Sequence, residues 1–349
     1  MKVLHVLASN RYSGAENVVC QIIGMFSGEG NIEMAYCSPD GKIRESLEEK
    51  GILFVPINKL SGKELKRVIK NYRPDIIHAH DMRASFVVSR CAKKIPFISH
   101  IHNNAFDSRA ISLKSIAYLL AGLKAKHIFW VSDSSFKGYK FHGFFKKKSS
   151  ILYNMINGNA LYQKMQEDNN TYRYDVTYLG RLTYPKNPQR LIEVLAKVIQ
   201  KKPDIKVAIV GTGELEEETK NLTKELKIEN NIDFLGFLSN PYKILYNSKV
   251  MLMTSRWEGT PMCALEAMAL GVPIVSTPVD GLKELIEEGE NGFLSNDDDL
   301  LADRIYSLLM DNDLQKRFSA KEQEKFSILN SLVDYKNALK ICYEEISFI

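Results

Sequence analysis

Two glutamates stand eight positions apart in the stretch TSRWEGTPMCALEAMALGVPIVSTPVDGL. Glu258 lies in a Gly-Thr-Pro turn after an apolar run, and Glu266 lies farther on, in a predicted helix of small residues. Pro261 suits the first helical position, and the N–H groups of a helix start favour an anion. A carboxylate beside a phosphate is unfavourable unless it binds hydroxyls, so the pattern favours a sugar nucleotide. The alternative is two surface glutamates on an amphipathic helix, which the apolar run LEAMALG disfavours.

Two cations follow another apolar run, in VTYLGRLTYPKNPQ. Arg181 offers a fork of donors and Lys186 a point charge, so together they can neutralise a diphosphate. The alternative is two solvated surface cations.

Glycines in three further strand-to-helix turns would let the backbone approach a phosphate or sugar closely; they are Gly14, Gly211 and Gly236. The turn at Gly14 does not match GxGxxG, which disfavours a dinucleotide cofactor.

Short apolar runs recur along the chain, and each precedes a helix-like segment, which indicates βαβ units and parallel sheets. The runs lie at 3–8, 34–37, 52–55, 76–79, 97–100, 127–131, 150–153, 176–179, 207–210, 232–235, 250–254 and 273–276. The pattern restarts near 175, after the linker-like stretch YQKMQEDNNTYRYD. We therefore predict an α/β protein of two doubly wound Rossmann-like domains, 1–165 and 170–330, that face a central cleft. A terminal helix over 331–349 follows and is expected to pack back on the first domain. Ligands of such sheets bind at the carboxyl ends of the strands.

Composition indicates a globular protein of 349 residues, 45% hydrophobic and 26% charged. No run approaches the ~18 apolar residues of a membrane span. The start, MKVLHVLASN, alternates like a buried strand and lacks the cleavage site of a signal peptide. The five cysteines are scattered without CxxC spacing, which favours a reducing cytoplasm over a zinc site.

The charge is unevenly distributed, with 25 Lys and Arg against 12 Asp and Glu in residues 1–165. A basic half indicates an anionic partner, such as a membrane surface, a phosphorylated lipid or nucleic acid. The segments AGLKAKH and KGYKFHGFFKKKSS combine lysines with Phe141, Phe144 and Phe145, which suits an anionic membrane interface. Nucleic acid is disfavoured because no recognition motif accompanies the patch, and ordinary surface lysines remain the alternative.

Two histidine pairs and one acidic run contain side chains of the types that bind metal ions. His78 and His80 form one pair and His100 and His102 the other. We expect one member of each pair to face the other side of its strand, with His78 packed in the core. We also expect Asp297–Asp299 to cap a helix rather than to bind a metal. No metal site is predicted.

The stretch EGTPMCALEAMALGVPIVSTPVDGLKELIEEGENGFL resembles the signature of the retaining family 4 glycosyltransferases of GT-B fold. That signature has two glutamates separated by seven residues, a small-residue helix and a GxP strand start. SGAE resembles the family's GGxE loop, with Ser13 in place of the first glycine, and GRLTYPKN resembles its diphosphate motif. DIIHAH, HIHNN, WVSDSS and LYNMIN lie at the other strand ends, with Met155 in place of a usual glycine. The resemblance covers nearly the whole chain.

The resemblance implies a retaining, metal-independent hexosyltransferase. Arg181 and Lys186 would hold the diphosphate and stabilise the leaving nucleotide. Glu266 would bind the ribose hydroxyls, and Glu258 would contact the hydroxyls of the donor sugar. The other implied residues are Gly259 and Thr260 as backbone donors, Gly14 near the donor phosphates and the acceptor, and His102 close to the transferred sugar. The leaving phosphate would itself help to deprotonate the acceptor.

The implied reaction moves a hexose or N-acetylhexosamine from a nucleotide sugar, with a UDP-sugar favoured, to a lipid-linked saccharide. This would occur at the inner face of the cell membrane during capsule, exopolysaccharide or O-antigen assembly. No cofactor and no nucleic acid partner are expected. One alternative is a GT-B enzyme on a soluble acceptor or a nucleotide-sugar epimerase. The other is a non-catalytic partner subunit, which the four charged residues of the two motifs disfavour.

Overall fold

The computed structural model describes residues 1–102 and 106–347. Asn103 and Asn104 of the HIHNN motif lie outside the described residues. Contacts between residues divide the chain into two compact units. Unit 1 comprises Met1–Met155 together with Ser331–Ile349, and unit 2 comprises Ile156–Asn330.

Unit 1 is built on a parallel six-stranded sheet in the order β2-β1-β3-β4-β5-β6. Its strands are β1 (Lys2–Val6), β2 (Glu33–Cys37), β3 (Ile76–His80), β4 (Phe97–Ile101), β5 (His127–Trp130) and β6 (Ser149–Ile151). Its first six helices are α1 (Gly14–Phe26), α2 (Ile43–Glu49), α3 (Gly62–Tyr72), α4 (Asp81–Cys91), α5 (Leu113–Lys124) and α6 (Asp133–Gly138). The strands read as nearly continuous apolar runs because helices cover both faces of a parallel sheet. The strand order reverses between β1 and β3, and ligands of such sheets bind at this point.

Unit 2 is built on a second parallel sheet of six strands, in the order β12-β11-β10-β7-β8-β9. Its strands are β7 (Val176–Leu179), β8 (Val207–Val210), β9 (Ile232–Gly236), β10 (Val250–Met253), β11 (Ile274–Ser276) and β12 (Gly292–Leu294). Its helices are α7 (Gly158–Glu167), α8 (Pro188–Lys201), α9 (Glu216–Glu225), α10 (Tyr242–Tyr246), α11 (Met262–Leu270), α12 (Leu282–Leu285), α13 (Asp298–Met310) and α14 (Asn312–Leu329). This is the Rossmann strand order, and it reverses between β7 and β10.

The segment between the predicted domains is partly helical. The stretch taken as a linker begins inside α7, and α7 packs against α10 and α11 of unit 2. The contacts therefore assign residues up to 165, which we placed in the first domain, to unit 2 from Ile156 onward. Apolar burial explains this, because Leu161 and Met165 of α7 are both buried.

The last helix, α15 (Leu332–Ser347), packs within unit 1 against α1 and β3. The Tyr343 hydroxyl lies 2.7 Å from Nδ1 of His78 on β3, and both side chains are buried. Lys336 forms an ion pair with Glu29 at 2.6 Å. Unit 1 therefore contains two segments that are distant in the sequence.

The predicted strand at 52–55 is wrong, because this segment makes only one bridge, between Phe54 and Tyr36 of β2. Pro56 follows directly and has no N–H group to continue a ladder.

Among the described helices, none combines the length and the apolar character that crossing a membrane requires.

Candidate active site

The loops after β7 and β10 meet at the point where the strand order of unit 2 reverses. β7 and β10 are paired neighbours, with Val176 opposite Val250. The first loop carries Arg181 and Lys186, and the second carries Glu258. The sheet topology therefore brings together charged residues that are far apart in the sequence.

Lys186 and Glu258 form a direct ion pair in this site. The Nζ–Oε1 distance is 2.5 Å, and the side chains are only 15% and 9% exposed. The Ser255 hydroxyl donates to the same Oε1 at 2.6 Å, and the Glu258 N–H donates to Oδ2 of Asp280 at 2.9 Å. Burial alone would lower the pKa of Lys186, but Glu258 outweighs burial and raises that pKa, so the ammonium stays charged. The structure thus joins two groups that we assigned to different parts of the donor.

Arg256 fixes the two loops to each other, and the sequence analysis did not identify it. Its guanidinium donates to Oδ1 of Asn187 at 2.7 Å and lies 4.5 Å from the ring centroid of Tyr184. The backbone N–H of Arg256 donates to the Pro185 carbonyl at 2.8 Å. The Thr254 hydroxyl donates to the Asn187 carbonyl at 3.1 Å. Only the position of Arg256 between a strand end and the Glu258 turn could have suggested this function.

Arg181 lies in the same loop but is exposed to solvent. Its backbone carbonyl accepts a hydrogen bond from the Tyr178 hydroxyl at 2.8 Å, which anchors the loop. Within residues 1–102 and 106–347, the guanidinium has no ion-pair partner. An exposed, uncompensated arginine beside the Lys186–Glu258 pair is suited to binding an anion.

Glu266 lies on α11 and is partly exposed. The Tyr242 hydroxyl of α10 lies 3.4 Å from its Oε1. Burial raises the pKa of Glu266 to about 7, although Tyr242 and the charge of Lys164 oppose the shift. Tyr242 and Lys164 were not predicted from the sequence. Pro261 is the N-cap of α11 rather than its first helical residue, with φ −72° and ψ 125°, so the helix begins one residue later than expected.

Of the predicted site glycines, Gly211 and Gly259 lie where backbones pack closely, whereas Gly236 has φ +66° and open space where a Cβ atom would lie. A Cβ atom on Gly281 would lie 2.0 Å from the carbonyl oxygen of Gly259. Gly211 has φ +135°, and a Cβ atom there would lie 1.9 Å from the carbonyl oxygen of Gly180. The Gly211 N–H donates to the carbonyl of Gly236 at 2.7 Å. This N–H is already used within the protein, and both the positive φ and the close packing require a glycine at 211. That Gly211 approaches a phosphate or sugar stays a prediction. Thr260 is buried beside Gly259.

In unit 1, polar groups gather at the point where the strand order reverses. Gly14 begins α1, and the hydroxyl of its N-cap Ser13 donates to Oε2 of Glu16 at 2.5 Å. Glu16 is buried, which raises its pKa; Ser13 and the nearby His102 lower it, and Asp81 raises it further. The backbone N–H of His102 donates to Oδ1 of Asp81 at 2.8 Å. Glu16, Asp81 and His102 therefore belong to one cluster.

The histidines of the strands share one face of the sheet, so our prediction that the pairs split between faces is wrong. Side chains at i and i+2 of a strand point the same way. The rings of His78 and His80 stack with centroids 4.4 Å apart, and those of His100 and His102 with centroids 4.2 Å apart. His78 is fully buried in the core, as predicted.

Three of the histidines form a hydrogen-bonded chain. His5 Nδ1 lies 3.0 Å from His80 Nε2, and His80 Nδ1 lies 2.9 Å from His102 Nε2. Burial lowers the pKa of His5 to about 3 and that of His102 to about 4, and it lowers the pKa of His80 strongly. All three imidazoles are therefore neutral near pH 7, and each has one N–H to donate.

The same histidines are the described residues that could hold a metal ion. The ring nitrogens of His5, His78 and His80 lie within 4.8 Å of one another, as do those of His80, His100 and His102. Hydrogen bonds between rings already use several of these nitrogens. That the protein needs no metal stays a prediction.

The acidic run at 297–299 caps a helix, as predicted. Oδ1 of Asp297 accepts the N–H groups of Asp299 and Leu300 at 2.9 and 3.1 Å, at the start of α13. Asp298 pairs with Arg190 at 2.7 Å, and Asp299 pairs with Lys197 at 2.5 Å.

Comparisons with known proteins agree with this architecture. Residues 163–325 match the family model described as Glycosyl transferases group 1, and residues 12–159 match Glycosyltransferase Family 4. The O-antigen biosynthesis glycosyltransferase WbnH of Escherichia coli is 27% identical over 345 residues, which cover 96% of this chain and 98% of that protein. The crystal structure of Anabaena HepE in complex with UDP-glucose superposes with a TM-score of 0.87 at 23% identity, covering 99% of this chain and all of that chain.

A third relative matches about half of the chain. The N-acetylgalactosamine-N,N'-diacetylbacillosaminyl-diphospho-undecaprenol 4-alpha-N-acetylgalactosaminyltransferase of Campylobacter jejuni is 30% identical over 197 residues, which cover 56% of this chain and 53% of that protein. The two sheets and these matches define the class: the chain is a glycosyltransferase of the GT-B fold. Within that class it is similar to family 4, and the fold predicted from the sequence is confirmed.

Proposed function

We propose that the chain is a retaining, metal-independent hexosyltransferase. It moves a hexose or N-acetylhexosamine from a UDP-sugar to a lipid-linked saccharide in surface polysaccharide biosynthesis. The observation that carries this proposal is the grouping of Arg181, Lys186 and Glu258 at the switch point of unit 2, with Glu266 on the helix that follows. Three properties of similar proteins support it: HepE was crystallised with UDP-glucose, WbnH acts in O-antigen biosynthesis, and the Campylobacter enzyme has a diphospho-undecaprenol-linked acceptor.

Donor binding exchanges one ion pair for two sets of ligand contacts. The diphosphate takes the Lys186 ammonium and the exposed guanidinium of Arg181, and Glu258 turns to hydroxyls of the donor sugar. Each charge keeps a partner, so the free energy lost with the 2.5 Å pair is largely offset. Glu266 accepts hydrogen bonds from the two ribose hydroxyls.

The chemistry needs charge stabilisation more than a general base. The bond from the anomeric carbon to the phosphate oxygen breaks, and the acceptor hydroxyl oxygen forms its bond on the same face of the sugar. The hydroxyl proton passes to the leaving phosphate oxygen. Arg181 and Lys186 stabilise the negative charge that develops on UDP. His102 is neutral near pH 7 and contacts the sugar as a hydrogen-bonding group, because its pKa is about 4.

Metal independence rests on the same charges. Two cations beside the switch point can compensate a diphosphate without a divalent ion. The aspartates at 297–299 are engaged in the cap of α13 and in ion pairs with Arg190 and Lys197. They are therefore unsuited to serve as the metal-binding acids of this reaction.

The test is thermal stabilisation by UDP, GDP, ADP and their sugars, with and without EDTA. We expect UDP and one UDP-sugar to stabilise the protein by about 2.7 kcal/mol at 100 times Kd, independently of EDTA. Glu266→Ala abolishes the stabilisation, whereas Glu193→Ala, at an exposed glutamate of α8, serves as the control and retains it. Mass spectrometry of products from lipid-linked acceptors then defines the transfer.

Other outcomes of this test identify the alternatives. Donor turnover without an acceptor, with the sugar isomerised, would indicate an epimerase. Transfer only to water-soluble saccharides would indicate a soluble acceptor. If no nucleotide binds, the proposal of a donor site at Lys186 and Glu258 is refuted, and a non-catalytic partner subunit becomes the better explanation.

A further inference from the structure

Two aromatic side chains lie beside the charged residues of the candidate donor site in unit 2. Tyr184 belongs to the loop after β7, two residues before Lys186, and Trp257 belongs to the loop after β10, directly before Glu258. Their ring centroids are 5.8 Å apart, with an angle of 59° between the ring planes. Tyr184 is 57% exposed, and Trp257 is half-buried. The proposed donor contacts leave both rings without a function.

Arg256 holds the Tyr184 ring in a fixed position. Its guanidinium lies over the ring, 4.5 Å from the centroid, and its Nε donates to the Tyr184 carbonyl at 3.2 Å. A guanidinium stacked in this way covers one face of the ring. The exposed area of Tyr184 therefore belongs to the opposite face and to the edge of the ring.

The turn that carries Tyr184 is itself tightly held. Asn187, at its end, has φ +54°, a left-handed conformation that asparagine adopts more readily than most residues. Its side-chain oxygen accepts a hydrogen bond from Arg256 at 2.7 Å, and its carbonyl accepts one from the Thr254 hydroxyl at 3.1 Å. A surface that is already fixed loses little conformational entropy when a ligand packs on it. The exposed face of Tyr184 is therefore suited to binding a ligand.

We propose that Tyr184 and Trp257 form an aromatic platform that binds the ring of a pyranose sugar. One face of a pyranose presents C–H groups, which pack on an aromatic ring, while the hydroxyls at the rim remain free to hydrogen-bond. The neighbouring carboxylate of Glu258 is an acceptor for such hydroxyls. The inference deepens the proposed function and rests on it, because it assigns residues that recognise the sugar ring. This ring belongs to the transferred sugar or to the acceptor saccharide, which present the same apolar face.

A nucleobase would also stack on these rings, but the proposed arrangement of the donor disfavours it. Glu266 on α11 is proposed to bind the ribose, and the base lies beyond the ribose. Tyr184 and Trp257 instead adjoin Lys186 and Glu258, which are proposed to hold the diphosphate and the donor sugar. The order of groups along a nucleotide sugar therefore places the aromatic platform at the sugar end.

Tryptophan fluorescence tests the proposal directly. The chain has two tryptophans, and Trp130 is fully buried in unit 1, so quenching by acrylamide reports mainly on Trp257. The probes are UDP, its glucose, galactose, N-acetylglucosamine and N-acetylgalactosamine derivatives, and farnesyl diphosphates that carry glucose or N-acetylgalactosamine. We expect UDP alone to leave the quenching constant unchanged and a sugar-bearing probe to lower it. Equal lowering by UDP and by its sugar derivatives would overturn the proposal in favour of a nucleobase.

The same probes identify the source of the sugar ring. Lowered quenching with a UDP-sugar assigns the aromatic platform to the transferred sugar. Lowered quenching only after a farnesyl-linked saccharide is added to the UDP-bound protein assigns the platform to the acceptor. In either case Trp257→Phe should remove the response, because the remaining tryptophan is in the core of unit 1.

Replacement of Tyr184 separates sugar binding from a purely structural role in the loop. We expect Tyr184→Ala to weaken binding of the protective probe about tenfold, while UDP binds as it does to the wild type. Tyr184→Phe keeps the ring face and should restore most of the affinity. Tyr246→Ala is the matched control, because Tyr246 is 45% exposed on α10 of the same unit, and it leaves both affinities unchanged. Equal weakening of UDP and sugar-probe binding by Tyr184→Ala would overturn the proposal, since it would indicate a disordered loop.

UDP-induced thermal stabilisation distinguishes this inference from the proposed function. If UDP stabilises the protein but no sugar-bearing probe protects Trp257, the aromatic platform is refuted and the donor site stands. If a farnesyl-linked saccharide protects Trp257 and no nucleotide binds, the platform stands and the proposed transferase function fails.

Discussion

At the scale of single residues, the candidate donor site is held in a charge-compensated state. Lys186 and Glu258 satisfy each other at 2.5 Å while both are largely buried, and the Ser255 hydroxyl adds a second donor to the carboxylate. Breaking a buried pair by removing one partner is strongly destabilising, because the remaining charge is left without compensation. The two residues therefore stabilise the free protein as well as serving the proposed reaction.

Replacement of the lysine should reveal this double role. We expect Lys186→Met to lower the free energy of unfolding by about 3 kcal/mol, because Glu258 is then buried without a cation. Denaturant unfolding measures the change. Lys197→Met, which removes an exposed pair with Asp299, is the control and should cost much less. Equal losses in the two variants would show that the Lys186 pair contributes no more than a surface pair.

Glu266 should make stability depend on pH. Its pKa is about 7 in the folded protein and near 4.5 unfolded, so the folded state binds more protons between these values. The contribution of Glu266 to the free energy of unfolding is therefore fully present below about pH 4.5, and it is lost as the pH rises through about 7. Between pH 5 and pH 8 we expect Glu266→Gln to gain about 1–2 kcal/mol of stability relative to wild type. If the free energy of unfolding depends on pH in the same way for the wild type and for Glu266→Gln, the raised pKa of Glu266 is contradicted.

At the scale of elements, adjacent strands align side chains that the sequence scatters. β1, β3 and β4 bring His5, His80 and His102 into one chain of hydrogen bonds. A neutral imidazole donates from one nitrogen and accepts at the other, so each ring restricts the tautomer of the next. His80 thereby orients His102, although His80 itself is not proposed to contact the substrate.

His80→Phe tests this positioning role. Phenylalanine keeps an aromatic ring for stacking but removes both nitrogens, so His102 loses the partner of its Nε2. We expect nitrogen NMR of His102 to show a change of tautomer or a mixture of tautomers, and kcat to fall more than KM rises. His127→Phe is the control, since His127 bonds Ser150 and not His102. An unchanged His102 spectrum would show that the ring chain does not hold it.

Most of the strands were predictable, because parallel strands are apolar runs. The run at 52–55 was predicted wrongly, and the short strand β12 was not predicted. Contacts between the loops of neighbouring strands were not predictable. Neither the sequence around Lys186 nor that around Glu258 indicates which side chain each of them contacts. Arg256 was not identified from the sequence for the same reason. The misassignment of the histidine faces had a different origin: the period of two in a strand was available from the sequence and was misapplied to His78 and His80.

At the scale of the whole molecule, each unit has its own core. The large core clusters of unit 2 draw all their members from 156–329, and that of unit 1 from 4–151. Helix α15 belongs to unit 1, where Leu339 and Tyr343 are fully buried. Unit 2 is continuous in sequence, whereas unit 1 depends on a returning segment.

Removal of residues 331–349 should therefore affect the units unequally. We expect unit 1 to be destabilised, because Phe26 loses its contact with Tyr343 and His78 loses the hydroxyl at 2.7 Å. Unit 2 keeps its core. Hydrogen exchange measured by mass spectrometry should show faster exchange in β1 and β3 and unchanged exchange in β7 and β10. Equal acceleration in both units would contradict the division.

The return of α15 also has a consequence for the newly made chain on the ribosome. Proteins usually complete their domains in the order of translation, from the N-terminus onward. Here the half of the chain from Ile156 to Asn330 can finish folding first, while the segment made earliest waits for residues beyond 330. Until then the surface of α1 and β3 that α15 covers is exposed and open to chaperones. The first unit to be synthesised is thus the last to be completed.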